Sequence, residues 1–165
     1  MDLKKLIRDI PDFPQPGILF RDVSPLMKSP EAMHFVAENL VKKADLSQID
    51  YFAGIESRGF IFATLLSTHF KKGFLPIRKA GKLPPPVIAE SYDLEYGKAT
   101  IELSPGIGRV MILDDVLATG GTLQAAIKLC KRAGYDVKDV AVLIDLPFLN
   151  QMKFNNKAIH SLVQY

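Results

Sequence analysis

Two neighbouring carboxylates, Asp114 and Asp115, come shortly before a loop of small and hydroxylated residues. Glycines let the backbone of such a loop approach a ligand closely, and threonine hydroxyls add hydrogen-bond donors. The helical pattern that starts at Leu123 predicts free N–H groups and a positive dipole end here. The loop therefore suits a phosphate dianion, whereas the acid pair suits a diol, a bound metal or a developing positive charge. The loop residues are Ala118, Thr119, Gly120, Gly121 and Thr122.

Simpler interpretations of this stretch also exist. In an ordinary strand, turn and helix, the two aspartates would serve as a turn residue and an N-cap. A Walker A loop is excluded because no Gly-Lys-Ser/Thr follows the glycines. Gly106 and Gly108 precede the strand instead of following it, so a plain turn explains them better than a dinucleotide-binding loop does.

The segments around the loop alternate between strand and helix patterns, as is typical of an α/β protein. Val110 to Leu113 is a short apolar run, as expected for a strand that is buried on both faces. Right-handed crossovers would join such strands into a mostly parallel central sheet flanked by helices. The pattern predicts further strands at 51–55, 74–78, 137–146 and 159–163, and helices at 60–70 and 123–133.

Ligands of such sheets bind beyond the carboxyl ends of the strands. Three loops would emerge at that edge, namely Glu56 to Gly59, Arg78 to Lys82 and Asp114 to Thr122. From Ser57 to Ala89 the chain carries six basic residues and no acidic one. This block is either a solvated face or the wall of a site for a polyanionic small molecule.

Prolines divide the segments outside the central pattern. A short N-terminal helix is expected to end before Pro11, and Ile18 to Val23 is predicted to be a strand that Ser24-Pro25 ends. Pro30 to Ala44 is predicted to be an amphipathic helix. Lys79 to Asp93 has no core pattern, which is typical of a functional lid or a disordered excursion. A hairpin is predicted from 91–97 and 99–103.

Length and composition limit the possible classes. The chain has 165 residues, as expected for one domain, and a formal charge of +3, too small to argue for nucleic acid. Its single cysteine, Cys130, falls on the apolar side of a predicted helix and is expected to be a buried structural thiol. No apolar run approaches the ~20 residues of a membrane span. Asp9 and Pro11 stand where a signal peptide would be apolar, so we expect a cytoplasmic protein.

The stretch from Val110 to Thr122 resembles the phosphoribosyl diphosphate (PRPP) signature of the type I phosphoribosyltransferases. The resemblance implies that Ala118 to Thr122 hold the 5′-phosphate and that Asp114 and Asp115 face the ribose hydroxyls. Further stretches resemble the adenine-using branch of that family and extend the likeness from about Leu6 to Tyr165. They are Phe13 to Asp22 (a hood), Glu56 to Phe60 (a pyrophosphate loop), and Arg78 to Pro84 with Glu90 to Gly97 (a mobile lid).

The resemblance implies the family fold, with a hood over about residues 1–30 and a lid over about 79–103. It also implies that adenine and PRPP give AMP and diphosphate, that magnesium is held through PRPP with no direct protein ligand, and that the protein is a homodimer. A cis peptide bond without proline is implied between Glu56 and Ser57. Magnesium would bridge pyrophosphate and ribose oxygens.

The resemblance also implies roles for single residues. Diphosphate would meet Glu56, Ser57, Arg58, Arg78 and Lys82, and adenine would meet Leu19, Phe20 and Arg21. From the residues alone, Ile18 to Val23 could instead be only an edge strand. The residues implied in catalysis are Glu95, which would move a proton at the base, Tyr96, which would order it, and Arg58, Asp114 and Asp115. Without the resemblance, Glu95 and Tyr96 could be exposed hairpin residues.

Three rival functions are open at this point. A related enzyme could use xanthine or hypoxanthine-guanine as its base. A PRPP-binding regulator could keep the fold without turnover, although such regulators usually carry a DNA-binding domain and the hood-like segment begins almost at Met1. An interaction protein that uses only the fold has no feature of the sequence in its favour.

Overall fold

The computed structural model describes residues 1–94 and 97–165, and its described helices and strands follow the predicted alternation. Two short 3₁₀ helices, Leu3–Leu6 and Leu46–Gln48, accompany them. In chain order the elements are β1 (Arg8–Ile10), β2 (Phe20–Asp22), α1 (Ser24–Met27), α2 (Pro30–Leu40), β3 (Tyr51–Ile55), α3 (Arg58–Phe70), β4 (Gly73–Lys79), β5 (Ile88–Asp93), β6 (Lys98–Leu103), β7 (Gly108–Leu117), α4 (Gly121–Arg132), β8 (Tyr135–Asp145), β9 (Lys153–Phe154), β10 (Lys157–Ala158) and β11 (His160–Gln164).

A seven-stranded sheet forms the middle layer, in the order β11-β8-β7-β3-β4-β6-β5. The strands from β11 to β4 pair in parallel, whereas β4 with β6 and β6 with β5 pair antiparallel. Helices α2 and α3 pack on one face and α4 packs on the other. This confirms the mostly parallel α/β architecture.

Strand β7 is buried on both faces, as its unbroken apolar run predicts. Met111 and Leu113 belong to the core cluster beneath α2 and α3, while Val110 and Ile112 belong to the cluster beneath α4. The strand is longer than predicted, because it continues through the acid pair to Leu117 and keeps its pairing with β8. The aspartates therefore belong to the strand and do not follow it.

Several segments differ from the prediction. A single 3₁₀ turn and then β1 replace the expected N-terminal helix. Pro25 both ends the β2 segment and starts α1, because proline suits the first turn of a helix. Helix α2 ends at Leu40 and not at Ala44. The segment predicted to be irregular contains β5, because pairing with β6 gives its backbone groups partners that its composition does not reveal.

The N-terminal hairpin of β1 and β2 is held by paired charges. Arg8 lies opposite Asp22 and Asp9 lies opposite Arg21 in the strand register, and each pair forms an ion pair. The Arg21 guanidinium also stacks on the Tyr165 ring, with its carbon 3.7 Å from the ring centroid. The ion pairs hold the two strands together, and the stacking of Arg21 on Tyr165 packs the hairpin against the C-terminal residue.

The predicted inert thiol is confirmed. Cys130 is fully buried in the core beneath α4, and burial raises the pKa of its thiol to about 12. A thiol with such a pKa is not a nucleophile at neutral pH.

Within residues 1–94 and 97–165, no helix combines the length and apolar character needed to cross a membrane.

Candidate active site

The loop from Ala118 to Thr122 forms a cradle at the start of α4. Gly120 is the N-cap of the helix and has a φ of +93°, a conformation that favours glycine. The first N–H groups of an α-helix have no partner within the helix, and in the described part of the chain no side chain caps this one. The cavity in front of the cradle measures about 80 Å³ and is lined by Asp114 and residues 116–123. This geometry suits an anionic oxygen cluster.

Asp114 of the acid pair lines this cavity, and Asp115 follows it in β7. Asp115 is buried at 6% exposure, whereas Asp114 is partly exposed and its Oδ1 accepts a 2.9 Å hydrogen bond from the Asp115 N–H. Burial raises the pKa of both carboxyl groups, and repulsion from Asp115 raises that of Asp114 further. The pair is therefore suited to ligands that relieve negative charge, such as hydroxyl donors or a cation.

Arg58, the first residue of α3, connects this acid pair to the N-terminal hairpin. Its Nε lies 2.6 Å from Asp115 Oδ2, and its guanidinium carbon lies 4.6 Å from the centroid of the Phe20 ring. Its Nη1 donates a 3.4 Å hydrogen bond to the Arg21 carbonyl. Gly59 makes the approach possible, because a Cβ there would lie only 2.8 Å from the Leu113 carbonyl oxygen.

The second predicted basic residue, Arg78, is paired with Glu56. Arg78 Nε lies 3.3 Å from Glu56 Oε2, and the Lys79 N–H donates to the same oxygen at 2.9 Å. These bonds, led by the Lys79 N–H, lower the pKa of Glu56 despite its partial burial. The Glu56–Ser57 peptide bond is cis, as the resemblance implies. The segments Glu56 to Gly59 and Arg78 to Lys82 therefore meet, as predicted.

The loop after β4 is held from behind by Glu102 on β6. Its buried carboxylate accepts N–H bonds from Gly81 (3.0 Å), Lys82 (2.7 Å) and Leu83 (2.6 Å), which lower its pKa. Arg78 Nη1 donates to the Lys82 carbonyl at 3.2 Å, and the Lys82 side chain is exposed. Sequence reasoning missed Glu102, although a lone acid between Ile101 and Leu103 in a strand is a usable signal.

The predicted adenine residues lie on the N-terminal hairpin, next to Arg58. Leu19 is 46% exposed, and the edge-to-face ring pair of Phe13 and Phe20 has a centroid separation of 5.1 Å. The Arg21 side chain points away to its ion pair with Asp9, so only its backbone faces Arg58. A planar base would find an aromatic ring and backbone groups here.

The hairpin of β5 and β6 packs along the length of α4. Thr122 Oγ1 donates to the Tyr92 hydroxyl at 3.3 Å, and buried Glu90 forms ion pairs with Lys128 (2.6 Å) and Arg132. Sequence reasoning missed Tyr92, because a tyrosine in a strand is ordinary. The predicted catalytic residues Glu95 and Tyr96 lie outside the described residues.

The cradle has a further neighbour that sequence reasoning missed. Asn150, in the segment after β8, donates to the Ala118 carbonyl at 2.9 Å. The polar, turn-rich composition of 150–157 contains no signal for this contact.

No group of three or more His, Cys, Asp or Glu side chains in residues 1–94 and 97–165 is placed to hold a metal ion.

Comparison with known proteins gives a consistent result. The sequence model of the phosphoribosyl transferase domain family matches residues 25–153 of the chain. An adenine phosphoribosyltransferase from Bdellovibrio bacteriovorus is 66% identical over 165 residues, the full length of both chains. The crystal structure of an adenine phosphoribosyltransferase from Rhodothermus marinus superposes with a TM-score of 0.89 at 45% identity, covering 99% of this chain and 96% of that one.

A third similar structure contains a ligand. The APRTase from Giardia lamblia, solved in complex with 9-deazaadenine, superposes with a TM-score of 0.90 at 37% identity, covering 99% of this chain and 96% of that one.

Proposed function

The chain belongs to the phosphoribosyltransferase family and, within it, to the adenine phosphoribosyltransferases, and from this premise we propose how its residues divide the reaction. The enzyme converts adenine and PRPP to AMP and diphosphate, a step of purine salvage. One observation carries the assignment of the site: the helix-start cradle, the acid pair and Arg58 meet at a single edge of the sheet.

The substrate phosphates divide between two parts of this edge. The 5′-phosphate lies in the cradle, where the N–H groups of residues 119–122 and two threonine hydroxyls replace its water ligands. The diphosphate lies toward Arg58, Arg78 and Lys82, and an arginine fork matches its paired oxygens. When the diphosphate binds, the Arg78 guanidinium either breaks its ion pair with Glu56 or divides its N–H donors between Glu56 and the diphosphate.

The acid pair acts on the ribose. Asp114 and Asp115 accept hydrogen bonds from the 2′- and 3′-hydroxyls, because both are carboxylates within reach of the cradle. Breaking the bond between C1 and diphosphate leaves positive charge on the ribose, and one buried and one partly exposed carboxylate stabilise that charge. The developing negative charge on the leaving group is met by the arginines.

Adenine binds at the hairpin of β1 and β2. Its ring stacks on Phe20, while backbone groups of Leu19 and Arg21 accept from the exocyclic amine and donate to N1. Arg58 contacts Phe20, the Arg21 carbonyl and Asp115, so it joins the base subsite to the ribose subsite. Proton transfer at the base belongs to Glu95, with Tyr96 ordering it as the lid of residues 79–103 closes.

Magnesium fits the chemistry of this site. Mg²⁺ keeps several water ligands and takes few protein carboxylates, so it is held mainly by PRPP oxygens. The raised pKa of Asp114 supports a nearby cation, because positive charge would offset both its burial and its repulsion from Asp115. When bound, the ion neutralises charge on the diphosphate.

We further propose that the protein is a homodimer and that it acts in the cytoplasm.

The decisive experiment is product analysis. The protein is mixed with PRPP, magnesium and adenine, and separately with hypoxanthine, guanine or xanthine. We expect AMP and diphosphate from adenine alone. A nucleotide from another base would assign that base instead, and no nucleotide from any base would favour a PRPP-binding regulator. Omitting magnesium is expected to abolish turnover.

A further inference from the structure

Asn150 forms a bridge between the segment after β8 and the phosphate cradle. Its Nδ2 donates to the carbonyl oxygens of Ala118 (2.9 Å) and Leu146 (3.0 Å) and to Asp145 Oδ1 (3.1 Å). Its Oδ1 accepts from the Met152 N–H at 3.0 Å. All three oxygens surround Nδ2 and the one N–H faces Oδ1, so these neighbours select a single orientation of the amide.

The contact at Ala118 has a direct effect on the cradle. A trans peptide unit is planar, with its C=O and N–H pointing in opposite directions. The Ala118 carbonyl points at Asn150, so the N–H of the same peptide unit, on Thr119, points away from Asn150. The preceding residue is also held, because the Leu146 N–H donates to the Leu117 carbonyl at 3.0 Å.

A second contact limits the next residue of the loop. Met152, whose N–H is held by Asn150, places its sulfur 3.2 Å from the position that a Cβ on Gly120 would occupy. The side chain of Met152 is partly buried against the core cluster beneath α4. The Asn150 segment therefore supports the back of the loop where the helix begins.

We infer that Asn150 is a positioning residue for the 5′-phosphate of PRPP and AMP, acting through the Ala118 peptide and not by touching the ligand. The inference depends on the proposed function only for the identity of the ligand. Losing Asn150 frees the Ala118–Thr119 peptide to rotate, and the cradle then loses one aligned donor. Adenine binding, which belongs to the N-terminal hairpin, keeps its contacts.

The test compares Asn150→Ala and Asn150→Asp with Gln151→Ala, an exposed neighbour that serves as the control. We expect Asn150→Ala to raise the KM for PRPP and the Kd for AMP about five- to tenfold, the size of one net hydrogen bond. Asn150→Asp loses more, because an ionised carboxylate has no donor and faces the Ala118 carbonyl and Asp145. The adenine KM should stay close to wild type, whereas the melting temperature should fall, because the Asn150 variants also lose bonds to Asp145, Leu146 or Met152.

Two results would overturn the inference. An unchanged KM for PRPP would show that the cradle does not need Asn150. An equal loss of PRPP and adenine affinity would show a merely structural role. If the wild-type protein forms no AMP, the proposed function fails instead, and the variants are then compared by AMP binding alone.

A measurement on the wild-type protein tests the inference even if the Asn150 variants do not fold. The side-chain NH₂ signals of Asn150 in a ¹⁵N-correlated NMR spectrum should shift when AMP fills the cradle. Adenine alone should leave them unchanged. Asn150 chemical shifts that do not change when AMP is added would contradict the inference.

Discussion

The Arg58 guanidinium lies 2.6 Å from the Asp115 carboxylate, measured from Nε to Oδ2, and joins the start of α3 to the end of β7. The same guanidinium lies over the Phe20 ring and donates to the Arg21 carbonyl. One side chain therefore touches the predicted base subsite and the predicted ribose subsite. Ligands at either subsite are expected to change its contacts at the other.

Replacing Arg58 by lysine tests this connection. Arg58→Lys keeps a positive charge but removes the planar fork that reaches three partners. We expect kcat/KM to fall roughly 10- to 100-fold, the cost of one charge-assisted hydrogen bond. Steady-state kinetics with adenine and PRPP varied in turn give the result, and kcat/KM within twofold of wild type would remove Arg58 from the mechanism.

Arg109→Lys is the matched control for that change. Arg109 binds Asp50 through Nε (3.0 Å) and Nη2 (2.7 Å), where β3 and β7 begin at the opposite edge of the sheet. The variant should lower the melting temperature and leave kcat/KM unchanged.

Asp114→Asn should stabilise the fold while it reduces activity. The folded state holds the Asp114 proton more tightly than the unfolded chain, because burial and Asp115 raise its pKa. Stability therefore falls as the pH rises from the ordinary value of 3.8 through the raised folded value. Asparagine carries no charge and keeps an oxygen for the Asp115 N–H, so the advantage of the variant should grow over that window.

Thermal melting from pH 4 to pH 8 measures this effect, and each kcal/mol gained raises Tm by about 2–4 °C in a chain of this size. The control is Asp136→Asn, which changes an exposed carboxylate that is paired with Lys138. A melting temperature of Asp114→Asn below that of the wild type at pH 8 would contradict a raised pKa of Asp114 in the folded protein. AMP binding should weaken in the same variant, because one ribose acceptor loses its charge.

Glu102→Gln should loosen the loop that carries Lys82 and follows Arg78 at the end of β4. A glutamine oxygen replaces only part of the carboxylate, and its NH₂ faces N–H donors. We expect the KM for PRPP to rise several-fold with the adenine KM unchanged. Glu38→Gln on α2, an exposed change of the same type, should alter neither constant.

The loop contact of Glu102 should also depend on pH. Hydrogen bonds from Gly81, Leu83 and Lys82 lower its folded pKa. Its stabilisation is therefore fully present above the ordinary value of 4.5 and is lost as the pH falls through the folded value. The protection factors of the amides at residues 81–83, taken relative to the intrinsic exchange rate at each pH, should fall in the wild type as the pH drops below 4.5. Protection factors that stay constant until the whole protein unfolds would contradict this.

Glu95→Gln tests the residue proposed for proton transfer. The amide keeps the size of the side chain but cannot take up a proton, so kcat should fall much more than the affinity for PRPP. Single-turnover kinetics and a PRPP binding titration separate the two effects. An unchanged rate would remove Glu95 from the mechanism.

The phosphate cradle could be predicted from the sequence because its requirements are local. A buried apolar strand, glycines that permit positive φ and a following helix lie within one continuous stretch, residues 110–133, and each has its own composition signal. The convergence of the loops after β3, β4 and β7 followed from the rule that parallel strands present their carboxyl ends at one edge. The inert character of Cys130 followed from its place in a helical pattern.

Other relationships were decided by the tertiary structure alone. Arg58 meets Asp115, Glu102 closes a loop 21 residues before it, and Asn150 meets a carbonyl 32 residues before it. A polar side chain has the same composition signal whether it faces solvent or a distant backbone group. Only the packing of β6 against β4, and of the segment after β8 against β7, brings those donors and acceptors within bonding distance.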